Sequence, residues 1–444
     1  MNSSATPQRP SFREALGFWS RLGWISFGGT AAHIAIMHGY LVEKRKWISN
    51  GRFLHALSHC MILPGPEAQQ LAIYIGWKLH GKKGGLAAGT LFVLPSMFVL
   101  LALSLVYVLF GNLPWIAAMF NGLKPAVIAL VFLALLKIAG RALRGPVHYV
   151  VAAAAFIGMF FFNVSLPLIM LGAVVLGVLL GHLRPSLFHH QDSLETGEDE
   201  HEYFINKYSK SSETEFSSKS LVKLVATALL LWLVPFVLFY FLVDDFHFWR
   251  GLAFFFTKTA FVTIGGSYTV IPYVAQISVV KLHWLSKLQM MDGFALAETT
   301  PGPLIIVVAF VGFMAGYNHF HGSLWMGTLG LLATTFYTFL PCFLFVFAGA
   351  PIVERTQGKP AVEGVLSLIT AVVVGAILDL TLFLGKGVVF PSGTIAVRSI
   401  DIVSVAWIIT SLLLLKKFRM NVVYLILLSV AFGAGRYLIL LHMR

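Results

Sequence analysis

Charged side chains are scarce in this sequence. Asp, Glu, Lys and Arg together make up 11% of its 444 residues, whereas an ordinary soluble domain contains about 25%. Hydrophobic residues account for 58%, and the mean hydropathy is +0.82. This composition excludes a soluble globular enzyme and a disordered chain. Because long apolar runs span lipid as helices that satisfy their own backbone polar groups, we predict an all-α polytopic membrane protein in a lipid bilayer.

Cysteine and the common catalytic motifs are also missing. The two cysteines, Cys60 and Cys342, lie in apolar segments, which argues against a disulfide framework or a thiolate metal site. The sequence has no Walker loop, no Gly-x-Ser-x-Gly motif and no metalloprotease His-Glu pair. It also lacks the short apolar run of a cleaved signal peptide. We therefore expect no enzyme activity, no metal, no cofactor and no ATP-driven pumping by this chain alone.

The charge that is present is basic, with a net charge of +13. Lys and Arg stand at the ends of the apolar segments, which indicates membrane topology under the positive-inside rule and no nucleic-acid surface. One stretch differs, because residues 185–220 hold eight acidic residues against three lysines. It is also rich in Ser and poor in apolar residues, so we expect a disordered linker at 184–220.

Several interrupting motifs occur twice in the same order. Four features keep one constant spacing between their two copies: Arg21 with Lys258, Gly28-Gly29 with Gly265-Gly266, Trp47 with Trp284, and Pro64-Gly65-Pro66 with Pro301-Gly302-Pro303. Two further matches have slightly different spacings: Gly89-Thr90-Leu91 with Gly327-Thr328-Leu329, and Lys124-Pro125-Ala126-Val127 with Lys359-Pro360-Ala361-Val362. The chain therefore consists of two homologous halves.

The number of membrane crossings sets the orientation of these halves. The first half contributes an even number of spans, and one extra span then inserts the second half the other way up, as an inverted-topology repeat. The predicted regions are an N-terminal repeat, a cytoplasmic linker, an extra transmembrane helix and a C-terminal inverted repeat, at 1–183, 184–220, 221–243 and 244–444. The basic residues beside the spans also place the N-terminus in the cytoplasm.

Four basic residues conflict with simple spans at 12–41 and 52–79. If each segment crossed the membrane once, the loop between them would place these cations outside: Lys44, Arg45, Lys46 and Arg52. The conflict disappears if both segments are re-entrant hairpins, each made of two half-helices of about 12 residues, or about 18 Å. We favour hairpins, with simple spans as the alternative.

The interrupted segments are the candidate substrate site. Proline ends one helix and is welcome at the first position of the next, and broken backbone at membrane depth occurs where it lines a cavity or is buried in protein. The free N–H groups at each new helix start attract anions, while glycine allows close backbone approach. The predicted substrate-binding residues here are Gly28, Gly29, Pro64, Gly65, Pro66, Gly265, Gly266, Pro301, Gly302 and Pro303. The alternative is that each motif is a kink for helix packing.

Two cations precede the glycine pairs by seven residues each. Arg21 and Lys258 are basic residues at the same repeat position, and a cation toward the centre of a membrane helix costs about 2.5–3.5 kcal/mol on insertion scales. We predict that both bind the anion, the alternative being that Arg21 extends to the membrane interface. Polar side chains beside the breaks add hydrogen-bonding groups for the ligand: Gln69, Gln70 and Ser267.

Three carboxylates are candidates for proton coupling. Glu67 directly follows the first Pro-Gly-Pro, so it is either a protonatable group or a favourable charge at a helix N-terminus. Glu298 and Asp292 precede the second Pro-Gly-Pro by three and nine residues. Either of them can balance the charge of Lys258.

At these motifs the sequence resembles the CHR (ChrA-type) family of chromate ion transporters in its long two-domain form. The matching stretches read SFGGTAAH at 26–33, ILPGPEAQQLAIYIG at 62–76, IGGSYTVIP at 264–272 and TTPGPL at 299–304. Thr30 stands where the family often has proline, and Ser267 where glycine is frequent. The resemblance covers nearly all of the chain except the termini and the linker. It implies a multi-pass carrier that exports chromate across the bacterial inner membrane, uses the proton-motive force and confers chromate resistance.

The function has alternatives. Sulfate, a near-isostere of chromate, or another oxyanion is the runner-up substrate. An intramembrane enzyme acting on an anionic lipid would need a convergent acid, base or metal set, which the sequence does not offer. An anion channel would pass current without saturation. A homodimer is expected only because membrane carriers often pair.

Overall fold

The computed structural model describes residues 9–27, 29–184, 200–206, 218–263, 267–356, 360–391 and 399–442. Within them the chain is almost entirely helical, as predicted. The first half contains seven α-helices, the second of which continues as a π-helix over Gly39–Lys44: α1 (Phe12–Ile25), α2 (Gly29–His38), α3 (Asn50–Ile62), α4 (Glu67–Phe110), α5 (Pro114–Ala142), α6 (Pro146–Phe160) and α7 (Leu166–Leu183).

The second half repeats this order after the extra helix α8 (Ser218–Leu242). Its second helix again continues as a π-helix, over Gln276–Lys281, and a short 3-10 helix (Leu304–Ile306) precedes its fourth: α9 (Phe246–Val262), α10 (Ser267–Ala275), α11 (Lys287–Thr299), α12 (Val307–His319), α13 (Leu324–Thr356), α14 (Pro360–Val389), α15 (Ile402–Lys416) and α16 (Val422–His442). In α4 a non-helical turn at His80 and Gly81 separates two arms, 67–79 and 82–110, which correspond to α12 and α13.

Proline and serine set the ends of the short helices in both halves. Pro66 and Pro303 each stand directly before the start of a helix, where the missing N–H of proline is not needed. Ser49 and Ser286 occupy the same repeat position and cap α3 and α11 by accepting the backbone N–H three residues ahead. A serine cap of this kind stabilises a helix by about 1 kcal/mol. The repeat therefore extends to the residues that start the helices.

In the first half, both interrupted segments return to the end of the molecule where they began. Arg45, after the π-helix, forms an ion pair of 3.3 Å with Glu14 at the start of α1. Arg9 Nε donates to the carbonyl of Leu79, where the first arm of α4 ends. The segments 12–44 and 50–79 are thus two helical hairpins, and the basic loop between them lies at the same end as the start of α1.

The second half forms the same two hairpins. The Phe248 ring, near the start of α9, packs against Trp284 in the loop after the π-helix at 6.0 Å between centroids. His319, at the end of α12, lies 2.7 Å from the Asp245 carboxylate, which caps α9. Asn318 donates to the carbonyl of Trp284. All four helix ends of these hairpins therefore meet at one end of the molecule.

The remaining helices interlock the two halves. Helices α6 and α7 pack on α14 of the second half, whereas α15 and α16 pack on α5 of the first. Close contacts at Gly122 with Gly433, and at Gly177 with Val365, let these backbones approach. Seven helices in the described residues are long and apolar enough to cross a membrane, while α6 and α15 have only 15 residues each. Helix α8 buries a single residue, Phe239.

The register of the repeat changes after the hairpins. Gly76 contacts Gly84 across the turn in α4, and Gly312 makes the equivalent contact with Gly330 between α12 and α13. These contacts make Gly330 the counterpart of Gly84. The sequence match of Gly89-Thr90-Leu91 with Gly327-Thr328-Leu329 is therefore out of register with the structural repeat, because the turns between the paired helices differ in length.

Part of the linker is ordered, which corrects the expectation of a disordered segment. Residues 200–206 lie against the loop between the first two hairpins. Ile205 donates its N–H to the carbonyl of Trp47 at 3.0 Å and accepts from the N–H of Ser49 at 2.9 Å. Glu202 forms an ion pair with Lys46. The other parts of the predicted linker, 185–199 and 207–217, lie outside the described residues.

Candidate functional site

The hairpin tips of the two halves meet in two reciprocal junctions. Gly302, in the second Pro-Gly-Pro, donates its N–H to the carbonyl of Ser26 at the end of α1 at 2.7 Å. Gly65, in the first Pro-Gly-Pro, donates to the carbonyl of Thr263 at the end of α9 at 2.6 Å. Ser26 and Thr263 themselves occupy the same repeat position. The structure therefore joins each Pro-Gly-Pro turn to the start of the glycine break of the other half.

Both junctions require glycine at the turn. Gly65 and Gly302 have φ angles of 129° and 98°, a region that L side chains rarely adopt. A Cβ on Gly65 would lie 2.6 Å from the Gln70 amide nitrogen and 3.0 Å from Cys342 Sγ. A Cβ on Gly302 would overlap the Ser96 hydroxyl. Cys342 and Ser96 again occupy equivalent positions, on α13 and on the second arm of α4.

The junction at Gly302 contains polar atoms without partners. His33 is fully buried, and its Nε2 donates to the carbonyl of Ser26 at 2.9 Å. Its Nδ1 and the Ser96 hydroxyl have no hydrogen-bond partner among the described residues. Buried polar atoms are nearly always paired, so these two are candidates for contact with a ligand or water. The Ser96 hydroxyl can donate to an oxyanion, as can His33 Nδ1 when the imidazole is protonated.

The junction at Gly65 has the same character. The Gln70 amide donates to the carbonyl of Pro64, and the Gln69 amide donates to the carbonyl of Gly89 at 3.4 Å. The side-chain oxygens of both glutamines are buried without a hydrogen-bond partner among the described residues. The predicted polar residues Gln69 and Gln70 thus lie next to the first tip. Gln70 stabilises the turn, Gln69 bonds to the second arm of α4, and each leaves an unpaired acceptor oxygen.

Two helix N-termini face these junctions. Helix α4 begins at Glu67 and the 3-10 helix begins at Leu304, and neither start has a side-chain cap. Their first N–H groups have no intrahelical acceptor and carry the positive end of the helix dipole. Both Pro-Gly-Pro turns are largely buried in protein. These N–H groups place the positive end of a helix dipole at each junction.

The two predicted cations lie elsewhere. Arg21 and Lys258 are exposed, and neither forms a hydrogen bond or ion pair with another described residue. They belong to matching exposed stripes along α1 and α9: Arg13, Gly17, Arg21 and Trp24 on one, and Arg250, Phe254, Lys258 and Phe261 on the other. The repeat thus preserves two cations on each stripe, and both stripes lead toward the tips.

The carboxylate candidates have different surroundings. Glu67 is half-buried at the first position of α4. Glu298 is buried near the end of α11 and has no hydrogen bond or ion pair with a described residue. Neither of the two carboxylates expected to balance Lys258, Glu298 and Asp292, pairs with it. Asp292 pairs instead with Lys124 of α5, with 3.6 Å between Oδ1 and Nζ.

Lys124 is a residue that sequence reasoning treated only as part of a repeat match. It lies ten residues inside an apolar helix of the first half, which is the same signal that singles out Arg21.

Among the glycine breaks, Gly29 begins α2 with a φ of 78°. Gly28, Gly265 and Gly266 lie outside the described residues, and so does the side chain of Ser267.

Comparison with known proteins agrees with this arrangement. The chain matches the family described as Chromate transporter over residues 13–178 and 250–434, one match in each half. The chain belongs to the chromate transporter family. The matches end before the linker, omit α8 and resume in α9, so the family repeat coincides with the two interlocked halves.

Three relatives illustrate this membership. A chromate transport protein of Pseudomonas aeruginosa is 30% identical over 86% of this chain and 83% of its own length. A chromate transport protein of Cupriavidus metallidurans is 28% identical over 85% and 83%. An uncharacterised transporter of Methanocaldococcus jannaschii is 26% identical over 95% and 92%. No solved structure matches the chain.

Proposed function

We propose that this member of the chromate transporter family is a secondary active carrier that exports chromate across the bacterial inner membrane, driven by the proton-motive force. The observation that carries the proposal is the pair of reciprocal hydrogen bonds, Gly302 to Ser26 and Gly65 to Thr263. They join broken helices of two inverted halves, a geometry that carriers use to form a substrate site near the membrane midplane. The naming of two relatives as chromate transport proteins supports chromate as the substrate.

The hairpins are re-entrant in this proposal. Helices α1 and α3 have 14 and 13 residues, so each extends about 20 Å at 1.5 Å per residue, which is less than the ~30 Å hydrocarbon core. Their tips therefore end inside the membrane. The linker and the loop at 44–52 share one end of the molecule. The basic residues of that loop make this end cytoplasmic under the positive-inside rule.

Oxyanion binding uses the groups that the two junctions present. The N–H groups at the starts of α4 and the 3-10 helix, with the Ser96 hydroxyl and the side-chain N–H groups of Gln69 and Gln70, replace water around a tetrahedral dianion. Arg21 and Lys258 attract the anion toward the tips, Arg through a planar fork and Lys as a point charge. With both junctions hydrogen-bonded the tips are closed to either side. Opening one junction while the other stays closed exposes the site alternately, because the two halves are inverted copies.

Coupling to protons falls to the buried carboxylates. Glu67 directly follows the first Pro-Gly-Pro turn, and Glu298 precedes the second by three residues. Asp292 lies earlier in α11, nine residues before the second turn. A carboxylate at membrane depth that changes its protonation as the anion binds would link proton movement to export.

Everted membrane vesicles test the proposal, because exported chromate accumulates inside them. We expect saturable chromate uptake that a protonophore abolishes. Absence of uptake at any proton gradient would refute export. Uptake that survives the protonophore would reject proton coupling, and uptake that never saturates would identify a channel. Preference for sulfate over chromate in competition would make sulfate the physiological substrate.

A further inference from the structure

A cavity of about 200 Å³ lies between the two halves, at the end of the molecule away from the linker. The second arm of α4 and helix α5 form one wall, and α11 and α12 of the second half form the other. Its polar lining comes from both halves: Tyr107, Asn112, Asn121, Lys124, Gln289, Asp292 and Tyr317. A single water needs only about 10–15 Å³ by a comparable measure, so the cavity has room for a polyatomic ion.

The charges in this cavity are held in an incomplete pair. Lys124 Nζ lies 3.6 Å from Asp292 Oδ1 and donates to the Asn121 side chain at 2.8 Å. The Tyr107 hydroxyl donates to Asp292 Oδ2 at 3.0 Å. Asp292 Oδ1 has no hydrogen-bond partner among the described residues. The side chains of Lys124 and Asp292 are only 12% and 6% exposed.

An ion pair with this geometry contributes little to the stability of the fold. Desolvating two charges costs several kcal/mol per ion, and the attraction compensates only when geometry and hydrogen bonding are good. Here the ions are beyond hydrogen-bond distance, and an ammonium group has three donors, of which Asn121 takes one. Lys124 therefore retains donor capacity that points to another ligand.

We propose that this cavity is a second binding site for the transported oxyanion, with Lys124 as its cationic ligand. Asp292 is a tethered carboxylate that occupies the place of the anion when the site is empty. The amides of Asn121 and Gln289 and the hydroxyls of Tyr107 and Tyr317 supply neutral donors around the rest of a tetrahedral dianion. Because α5 and α11 belong to different halves, occupation of the site replaces a direct contact between the halves by a contact through the ligand.

The site lies on the route that the proposed function requires. Asp292 is on α11, the helix that leads from this end of the molecule to the Pro-Gly-Pro turn at Gly302. The inference rests on the proposed oxyanion transport, because it assigns to the same anion a binding site between the membrane surface and the hairpin tips.

Anion protection of a cysteine at the cavity tests this inference without measuring transport. Asn112 lines the cavity and is exposed, whereas the native Cys60 and Cys342 are fully buried. Asn112→Cys is labelled with a membrane-impermeant maleimide at increasing sulfate or molybdate. These two ions are used because chromate oxidises thiols. We expect either ion to slow labelling in a saturable manner.

Substitutions at the ion pair then identify the ligand. In the Asn112→Cys background, Lys124→Gln should raise the half-protecting concentration at least tenfold, and Lys124→Arg should restore it to within about threefold. Asp292→Asn should lower it several-fold, because the competing carboxylate is gone. The matched control is Lys287→Gln, since Lys287 is on α11 but packs on the Phe383 ring outside the cavity. That variant should behave like the parent.

The outcomes separate this inference from the proposed function. Chromate uptake with no protection by sulfate or molybdate overturns the cavity site and leaves the carrier intact. Equal protection in the Lys124→Gln variant, with a monodisperse protein, also overturns it. Saturable protection without chromate uptake in everted vesicles supports the cavity site and refutes only the exporter.

Discussion

The two hairpin tips have the same backbone arrangement, but the side chains that follow their Pro-Gly-Pro turns differ. After the first Pro-Gly-Pro come Glu67, Gln69 and Gln70, whereas the same positions after the second are taken by Leu304, Ile306 and Val307. The preceding helices differ as well. Helix α3 carries His55 where α11 carries Asp292, and Met61 where α11 carries Glu298. Carboxylates thus precede the turn in one half and follow it in the other.

This difference separates two requirements of a carrier. Symmetric backbone hydrogen bonds allow each half to adopt the conformation of the other, which alternating access requires. Asymmetric side chains allow a single site to have one polar wall and one apolar wall. The region from Leu304 to Gly316 is buried throughout, so the second tip continues into an apolar helix packed inside the protein.

The largest predicted effect is at the glycines. Gly302→Ala places a side chain in a left-handed position, at a cost of about 1–2 kcal/mol, and against the Ser96 hydroxyl, where overpacking adds about 1–3 kcal/mol. We expect most of the protein to lose its monodisperse peak in detergent. Gly65→Ala should be milder, because its nearest neighbour is the flexible end of Gln70.

The double variant Gly302→Ala with Ser96→Gly checks the cause. It should recover part of the lost stability, namely the part due to overlap. If Gly302→Ala purifies and unfolds like the parent protein, the close junction at Ser96 is absent in solution.

The next largest effect is expected at the polar residues of the first tip. Gln69→Leu removes the side-chain N–H donors of a buried amide at the first tip, so we expect chromate uptake to fall at least tenfold while membrane insertion is unchanged. Ile306→Leu is the matched change at the second tip. A volume-conserving apolar swap typically costs less than about 1.5 kcal/mol, so uptake should stay within about twofold. Equal losses in the two variants would contradict the asymmetry of the tips.

The exposed cations should have intermediate and similar effects. Arg21→Gln and Lys258→Gln each remove one charge from matching stripes, so each should lower chromate uptake about tenfold at low substrate and less at saturation. Arg13→Gln, further from the tip on the same stripe, is the control and should have a smaller effect. Full activity of both Arg21→Gln and Lys258→Gln would show that these cations serve only membrane placement.

The smallest effect concerns the linker, which contacts the loop between the first two hairpins at Lys46, Trp47 and Ser49. Glu202→Gln removes the ion pair with Lys46. In the parent protein the Glu202 carboxylate holds the pKa of Lys46 above its usual range. Exposed pairs contribute little and are screened by salt. Hydrogen exchange of residues 200–206 should therefore accelerate slightly at low salt and be unchanged at high salt.

Glu213→Gln makes the same charge change elsewhere in the linker and should not affect exchange at 200–206. A large acceleration in that variant would mean that overall linker charge, and not the contact with Lys46, holds the segment.

Much of the fold follows from local chemistry. Pro66 and Pro303 cannot continue a helix, and the cations at 44–52 cannot lie on the wrong side of the membrane, so the hairpins are predictable from those residues. The contact of Asp292 with Lys124 is not predictable in this way, since it depends on how α5 crosses α11. The unpaired atoms of His33 and Ser96 likewise appear only when α1, α4 and the second Pro-Gly-Pro are brought together.

The sequence by itself determined a helical membrane protein of two homologous halves, because hydropathy, helix-breaking residues and repeated motifs act over a few turns of one chain segment. Only the tertiary structure decided that each Pro-Gly-Pro bonds to the residue that ends the first helix of the opposite half, Ser26 or Thr263, and that Lys124 and not Lys258 faces Asp292. Those contacts join residues that are far apart in the chain. Their geometry depends on the packing of whole helices, which spacing along the chain does not encode.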